Sequence, residues 1–274
     1  MEHYGESLFV RDDQESRRLK VLCDVFDPLA TTTLDRLGVR PDARCLEVGA
    51  GTGSIARWLA QRAVDGEVVA TDIDTSGLRG LPEDNITVLR HDVTSGEFPE
   101  SSFDVIHARL VLSHLPERDE VLRRMRSWLA PGGFVLIESF CWFPIDSSPH
   151  PVYRQVLRRW SDLIRRSLGT DSWWARTHPG SFAKLGFSEV GANTVTQNLR
   201  GGTPLADFWR LTITMSHDQL IGKGYLTEAE LSAAYLLLED PDFWDLSPAL
   251  VQAWGHKEQP LAAGPLETTP AAQH

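Results

Sequence analysis

Leu46-Glu47-Val48-Gly49-Ala50-Gly51-Thr52-Gly53-Ser54-Ile55-Ala56 reads as the end of a buried strand, a tight glycine turn and the first turn of a helix. Residues 43–48 form a short, mostly apolar run of strand length. The three glycines at alternate positions lack a β-carbon, so the backbone can turn sharply there and let a ligand come close. Thr52 or Ser54 is placed to cap a helix whose apolar positions, Ile55, Trp58, Leu59 and Ala63, follow helical spacing. A helix N-terminus at a strand's carboxyl end suits a small, partly anionic ligand.

Working outward, strands alternate with helical segments. Strands are expected at 67–71, 85–90, 103–107 and 134–140. A short helix or turn falls at 76–80, and a helix over 117–129 begins behind Pro116 and buries Val121, Leu122, Met125, Trp128 and Leu129. Pro131-Gly132-Gly133 makes the turn into the strand that follows. This order predicts an α/β fold with a parallel sheet and right-handed crossovers. Before the sheet, a helix over 12–26 ends at Asp27-Pro28 and a second, over 30–37, stops at Gly38. Residues 1–40 therefore read as an N-terminal helical cap.

Beyond residue 140 the pattern loosens. A Pro/Ser-rich loop (141–150) precedes a helix over 151–168, then come a short helix at 178–185 and a strand at 187–198. Helical sequence over 203–239 includes a Thr227–Glu230 capping box, and a last strand covers 249–256. Residues 41–257 form the main domain, and 258–274 are Pro/Ala/Thr-rich and expected to be disordered.

The glycine turn opposes a dinucleotide and excludes a nucleoside triphosphate. A dinucleotide fingerprint requires a glycine at 54, where this chain has Ser, and no Lys-Ser/Thr follows to make a nucleoside-triphosphate loop. Glu47 would repel a pyrophosphate but suits a ligand carrying an amino group. Asp72, ending the second strand, can accept ribose hydroxyls, and Asp92, after the third, can read an adenine amino group. An NAD-type oxidoreductase remains an alternative that Ser54 and Glu47 oppose.

Glu47, the three glycines, Asp72 and Asp92 lie each just past a strand. With Phe103–Arg109, Ser113-His114-Leu115-Pro116 and Leu129-Ala130-Pro131-Gly132-Gly133, they resemble the class I S-adenosylmethionine-dependent methyltransferases over about residues 40–140. The flanks resemble the caps of bacterial small-molecule methyltransferases. The resemblance implies a Rossmann-like, seven-stranded, mostly parallel sheet with its last strand antiparallel, helices on both faces and a helical lid insertion. It implies S-adenosyl-L-methionine as cofactor and S-adenosyl-L-homocysteine as product. On this reading Glu47, Gly49, Ala50, Gly51 and Gly53 hold the methionine part. Asp72 binds the ribose, Ile73 packs on the adenine, and Asp92 and Val93 contact its amino edge. Ala108 and Arg109 line the methionine side, with His114 nearby. Separately, position in the cap makes Tyr4 and Arg18 candidates to close over the cofactor.

His114 is the first candidate for a general base and His107 the second, the latter competing with a role in a polar network. Trp142, Phe143, Trp173 and Trp174 fall in expected loops near the sheet's carboxyl edge and are candidate walls for a flat, apolar acceptor, while Trp160 and Trp209 read as core anchors. The expected function is methyl transfer to a small-molecule metabolite of aromatic or terpenoid, secondary-metabolism type. A protein that binds the cofactor without transferring methyl is the alternative from another class.

The 274-residue chain carries 38 acidic and 27 basic residues, a net charge of −11. That balance opposes nucleic acid and anionic membranes as partners. No apolar run is long enough to span a bilayer and the N-terminus has no signal-peptide pattern, so a cytoplasmic location is expected. Three scattered cysteines, Cys23, Cys45 and Cys141, suggest neither a disulfide framework nor a zinc site, and no metal is expected. A homodimer is a candidate assembly.

Overall fold

The structure is a computed structural model that describes residues 13–259. Along the chain run α1 (Asp13–Leu37), β1 (Arg44–Val48), α2 (Ser54–Arg62), β2 (Glu67–Asp72), β3 (Ile86–Arg90), β4 (Phe103–Arg109), α3 (Arg118–Trp128) and β5 (Leu129–Cys141). Then follow α4 (Phe143–Asp146), α5 (Pro151–Leu168), α6 (His178–Lys184), β6 (Ser188–Val195), β7 (Asn198–Arg200), α7 (Pro204–Thr214), α8 (His217–Gly222), α9 (Glu228–Glu239), β8 (Trp244–Leu246) and β9 (Ala249–His256).

Seven strands form one sheet in the order β3-β2-β1-β4-β5-β9-β6. The first five are parallel, and β9 lies antiparallel between β5 and β6. This is the Rossmann-like methyltransferase architecture that the motifs implied. The chain runs outward from β1 through β2 to β3, then returns to place β4 on the other side of β1. Strand order reverses there, and a crevice opens at the carboxyl ends of β1 and β4.

Side chains alternate across each strand, so the central strands feed two cores. Cys45, Val105 and Leu136 pack with Ala30 and Leu34 of α1 and Ile55 and Leu59 of α2. Their neighbours Leu46, Ile106 and Val135 pack on the other face with Val121 and Met125 of α3 and Phe182 of α6. A third core, built around Phe26, Tyr153, Trp160, Phe208 and Trp209, binds α1, α5 and α7 over the sheet's carboxyl end.

Several elements differ from the sequence-based expectations. α1 runs unbroken through Pro28 instead of ending there. Leu22, Phe26, Ala30 and Leu34 recur every four residues and are all buried, so packing on both sides of the proline outweighs its lost backbone bond. Neither Thr52 nor Ser54 caps α2, whose N-cap is Gly53; both hydroxyls lie 3.3 Å from Cys23 Sγ on α1. β5 begins at Leu129, because Pro131-Gly132-Gly133 is drawn into the ladder by Gly132 N donating to Lys257 O (2.7 Å) and Lys257 N to Gly133 O (2.9 Å). The expected loop 141–150 contains α4. The expected strand 187–198 divides into β6 and β7, and β7 pairs with β8 in a separate two-stranded sheet. The insertion over 203–239 is three helices. Among the described residues no helix is long and apolar enough to cross a membrane.

Candidate functional site

A cavity of about 800 Å³ fills the crevice at the carboxyl ends of β1, β2 and β4. One side is polar and is made by the glycine turn with Glu47, Asp72, Asp92 and Arg109. The other is aromatic, with Phe140, Trp142, Trp160, Phe208 and Trp209, and Leu22 and Cys23 of α1 cover it.

The turn is shaped by backbone that side chains resist. Gly49 has φ +68°, and a β-carbon there would fall 2.2 Å from Val111 Cγ2; Gly51 has φ +58° and opens onto empty space. Across the crevice Leu110 adopts φ +56° without being glycine, a conformation that costs on the order of 1–2 kcal/mol. Asp72 stiffens the turn by accepting Gly51 N (2.9 Å) on one oxygen and Asp74 N (3.0 Å) on the other. Asp92 accepts from the Thr94 amide and hydroxyl.

Beneath the turn lies a buried charged network. His107 Nδ1 is 2.7 Å from Glu47 Oε2, and its Nε2 is 3.1 Å from Glu138 Oε2. Gln252 on β9 donates to the other Glu138 oxygen (2.6 Å) and to Leu29 O of α1 (3.0 Å). Arg109 donates to Asp27 of α1 (2.7 Å), while its buried Nη1 has no partner. Two ionised carboxylates facing the ring nitrogens favour an N–H group on each. Burial opposes the imidazolium, but Glu47 and Glu138 outweigh it and raise His107 to about 9. Burial pushes Glu47 upward, against the pull of His107, while His107 and Arg109 hold Glu138 below its ordinary value against the same cost of burial.

His114 lines the cavity, with Nδ1 2.8 Å from Thr170 Oγ1. Burial, with Arg18 and Arg118 adding to it, lowers it to about 4, so the ring is neutral at pH 7.

The structure brings to this cavity Glu47, Gly49, Ala50, Gly51, Asp72, Ile73, Asp92, Val93, Arg109, His114 and Trp142. Tyr4 lies outside the described residues. Other expected site residues sit elsewhere. His107 is buried between its carboxylates, with neither nitrogen available to a substrate. Ala108 is packed in the core shared with α3, because alternation along β4 turns it away from its neighbour Arg109. Gly53 is buried against Leu78 and Leu81. Phe143, opening α4, and Trp173 are exposed, 43% and 40%. The Asp171 carboxylate accepts both the Trp173 and Trp174 amides, in a turn that leaves Trp173 outside and buries Trp174 against His178, ring centroids 4.4 Å apart.

Sequence reasoning missed that Phe140, Trp160, Phe208 and Trp209 wall the cavity, since their periodicity is that of core residues. It also missed Glu138 and Gln252. The available signal was a single charged or amide residue inside each of two otherwise apolar strands, which marks a buried polar partner.

The family described as "Methyltransferase domain" matches residues 46–135. The chain is 35% identical over 139 residues to "Methyltransferase str2" of Strobilurus tenacellus, covering 49% of this chain and 49% of that protein, so it spans about half of that relative's length. It is 32% identical over 175 residues to the ubiquinone/menaquinone biosynthesis C-methyltransferase UbiE of Laribacter hongkongensis, covering 55% of this chain and 70% of the relative. In fold it is similar to a phosphoethanolamine N-methyltransferase of Haemonchus contortus, solved with phosphomonomethylethanolamine and S-adenosylhomocysteine (TM-score 0.59, 18% identity, 92% of this chain and 59% of that one). With the strand order, the glycine turn and the crevice in place, the chain belongs to the class I S-adenosylmethionine-dependent methyltransferases, whose methyl donor is S-adenosyl-L-methionine.

Proposed function

We propose that the protein transfers a methyl group from S-adenosylmethionine to a flat, predominantly apolar small molecule of aromatic or terpenoid type. The observation that carries this reading is one continuous cavity, polar at the glycine turn and aromatic opposite it. Its volume lies in the upper part of the range for small-molecule sites and leaves room for two ligands.

The residues at the turn fit the donor. Gly51 leaves open space where any other residue would place a β-carbon. The unpartnered Nη1 of Arg109, beside the cavity, suits a carboxylate, and the Glu47 carboxylate suits an ammonium group. Asp72 would take the ribose hydroxyls, and Asp92 and Val93 the adenine edge. When bound, the donor supplies an electrophilic methyl group on a sulfonium.

The chain's own contribution is alignment and exclusion of water. Trp142, Trp160 and Trp209 present apolar faces to a planar acceptor, and α1, α5 and α7 close the chamber. His114, held near 4, is too weak a base to drive deprotonation at neutral pH and serves to orient an acceptor hydroxyl or carbonyl.

The test is incubation of the full chain with S-adenosylmethionine and a panel of planar phenols, quinols and terpenoid alcohols. Formation of S-adenosylhomocysteine together with a methylated product supports the reading. Donor binding without turnover on any acceptor, in a panel extended to amines and carboxylates, favours a protein that only binds the cofactor. Turnover confined to small polar amines overturns the proposed acceptor class.

A further inference from the structure

We propose that His107 is a positioning residue for the methyl donor, clamped between Glu47 and Glu138 so that the Glu47 carboxylate stays ionised and oriented as the counter-ion of the donor's ammonium group. The inference rests on the proposed role of Glu47 at the cavity, and it assigns a function to a histidine that touches no ligand.

One face of the sheet changes character along its length. Toward the amino ends of the strands it carries Cys45, Val105 and Leu136, packed on α1 and α2. Two residues further along each strand it carries Glu47, His107 and Glu138. Alternation puts all three on one face: Glu47 is level with His107, and Glu138 lies one step further along, level with Arg109 of β4 and Gln252 of β9. The result is a relay: Gln252 holds Glu138, Glu138 holds His107, and His107 holds Glu47, at 2.6, 3.1 and 2.7 Å. Gln252 is itself fixed by Thr33 Oγ1, which donates to its Oε1 (2.9 Å), and by the carbonyl of Leu29.

Of the four, Glu47 borders the cavity, while His107 and Glu138 are sealed from solvent. A carboxylate so buried, with no cation beside it, takes up a proton and loses its attraction for an ammonium group. The imidazolium, with Arg109 adding to it, opposes this, and it uses one Glu47 oxygen, Oε2, for its own bond. A second carboxylate, Glu138, is needed because an imidazolium with one partner in a dry sheet would itself release its proton. His107 thereby acts on the ligand only through Glu47.

The test compares two ligands by calorimetry on the full chain: S-adenosylhomocysteine, which carries the amino-acid group, and 5′-deoxy-5′-methylthioadenosine, which lacks it. His107→Gln is expected to weaken S-adenosylhomocysteine by roughly 10–100-fold, the worth of one charge-assisted hydrogen bond, and methylthioadenosine by less than about threefold. Glu138→Gln, which keeps the shape of the relay and removes its far charge, is expected to show the same selectivity in smaller measure and carries the test if His107→Gln does not fold. Equal weakening of both ligands, or of neither, overturns the proposal, since a merely structural histidine would not distinguish them. Glu47→Gln separates the two readings. If it loses S-adenosylhomocysteine selectively and the His107 and Glu138 variants do not, the positioning role alone fails. If it too shows no selectivity, the assignment of Glu47 to the ammonium group fails, and the positioning role with it.

Discussion

A methyl group at Gly49 would meet two obstacles at once, a left-handed backbone at φ +68° and Val111 Cγ2 at 2.2 Å. Valine is stiff at its first side-chain torsion and cannot swing clear without moving the segment after β4. Gly49→Ala is therefore expected to destabilise the fold by about 1–2 kcal/mol from the backbone term alone and to weaken S-adenosylhomocysteine binding roughly tenfold. Urea denaturation and calorimetry check the two effects. Wild-type affinity in this variant would show that Val111 yields and that the close approach is not needed. Glu47, Gly49, Gly51, Asp72 and Asp92 could be read directly, because spacing alone puts each at a strand end. The aromatic wall could not, since Trp160 is equally well spaced for a core, and only packing shows that it borders a cavity as well.

α1 is the element where local rules and tertiary structure disagree most. A proline inside a helix forfeits a backbone bond and crowds the preceding turn. Yet Leu22, Phe26, Ala30 and Leu34 form one buried stripe through it, and Thr32 Oγ1 donates to Pro28 O at 2.6 Å. Pro28→Ala is expected to raise stability by about 1–3 kcal/mol, read as a higher melting temperature. A lower melting temperature would mean that the docking of α1 on Gln252 and Arg109 depends on the proline's geometry. The helix also joins site to sheet, through Cys23 at the glycine turn and Asp27 on Arg109. None of these partners is near α1 in sequence, so none is visible from its own periodicity.

Over the whole molecule, two buried histidines, His107 and His178, and the half-buried His114 give stability a defined pH dependence. His178 is fully buried with neither ring nitrogen bonded, and burial lowers it to about 3. Its unfolded value is about 6.5, so below that pH the unfolded chain binds a proton that the folded chain refuses, and stability falls as the pH drops from about 6.5 toward 3. His114, lowered to about 4, acts in the same direction over a narrower window. His107 has the opposite sign. Raised to about 9, it contributes stability that is complete below about 6.5 and is lost as the pH rises through 9. His178→Leu is accordingly expected to remove up to about 1.4 kcal/mol per pH unit from the acid limb while leaving the alkaline limb unchanged. Denaturation midpoints from pH 3 to 10 measure this, and an unchanged acid limb would show that His178 takes up a proton within the fold.

The sequence by itself determined the alternation of strands and helices, the glycine turn, the acidic residues at three strand ends and, through them, the methyl donor. These are local signals: each depends on residue type, on a period of two or 3.6, or on a few residues of spacing. The tertiary structure alone decided that α1 is one helix, that Phe143, Trp173 and Trp174 stand away from the cavity, and that His107 is enclosed between Glu47 and Glu138. Those outcomes depend on strand order and on which helix covers which edge of the sheet. They join residues as far apart as Glu47 and Gln252, whose adjacency arises only when the switch in strand order folds the chain back across itself.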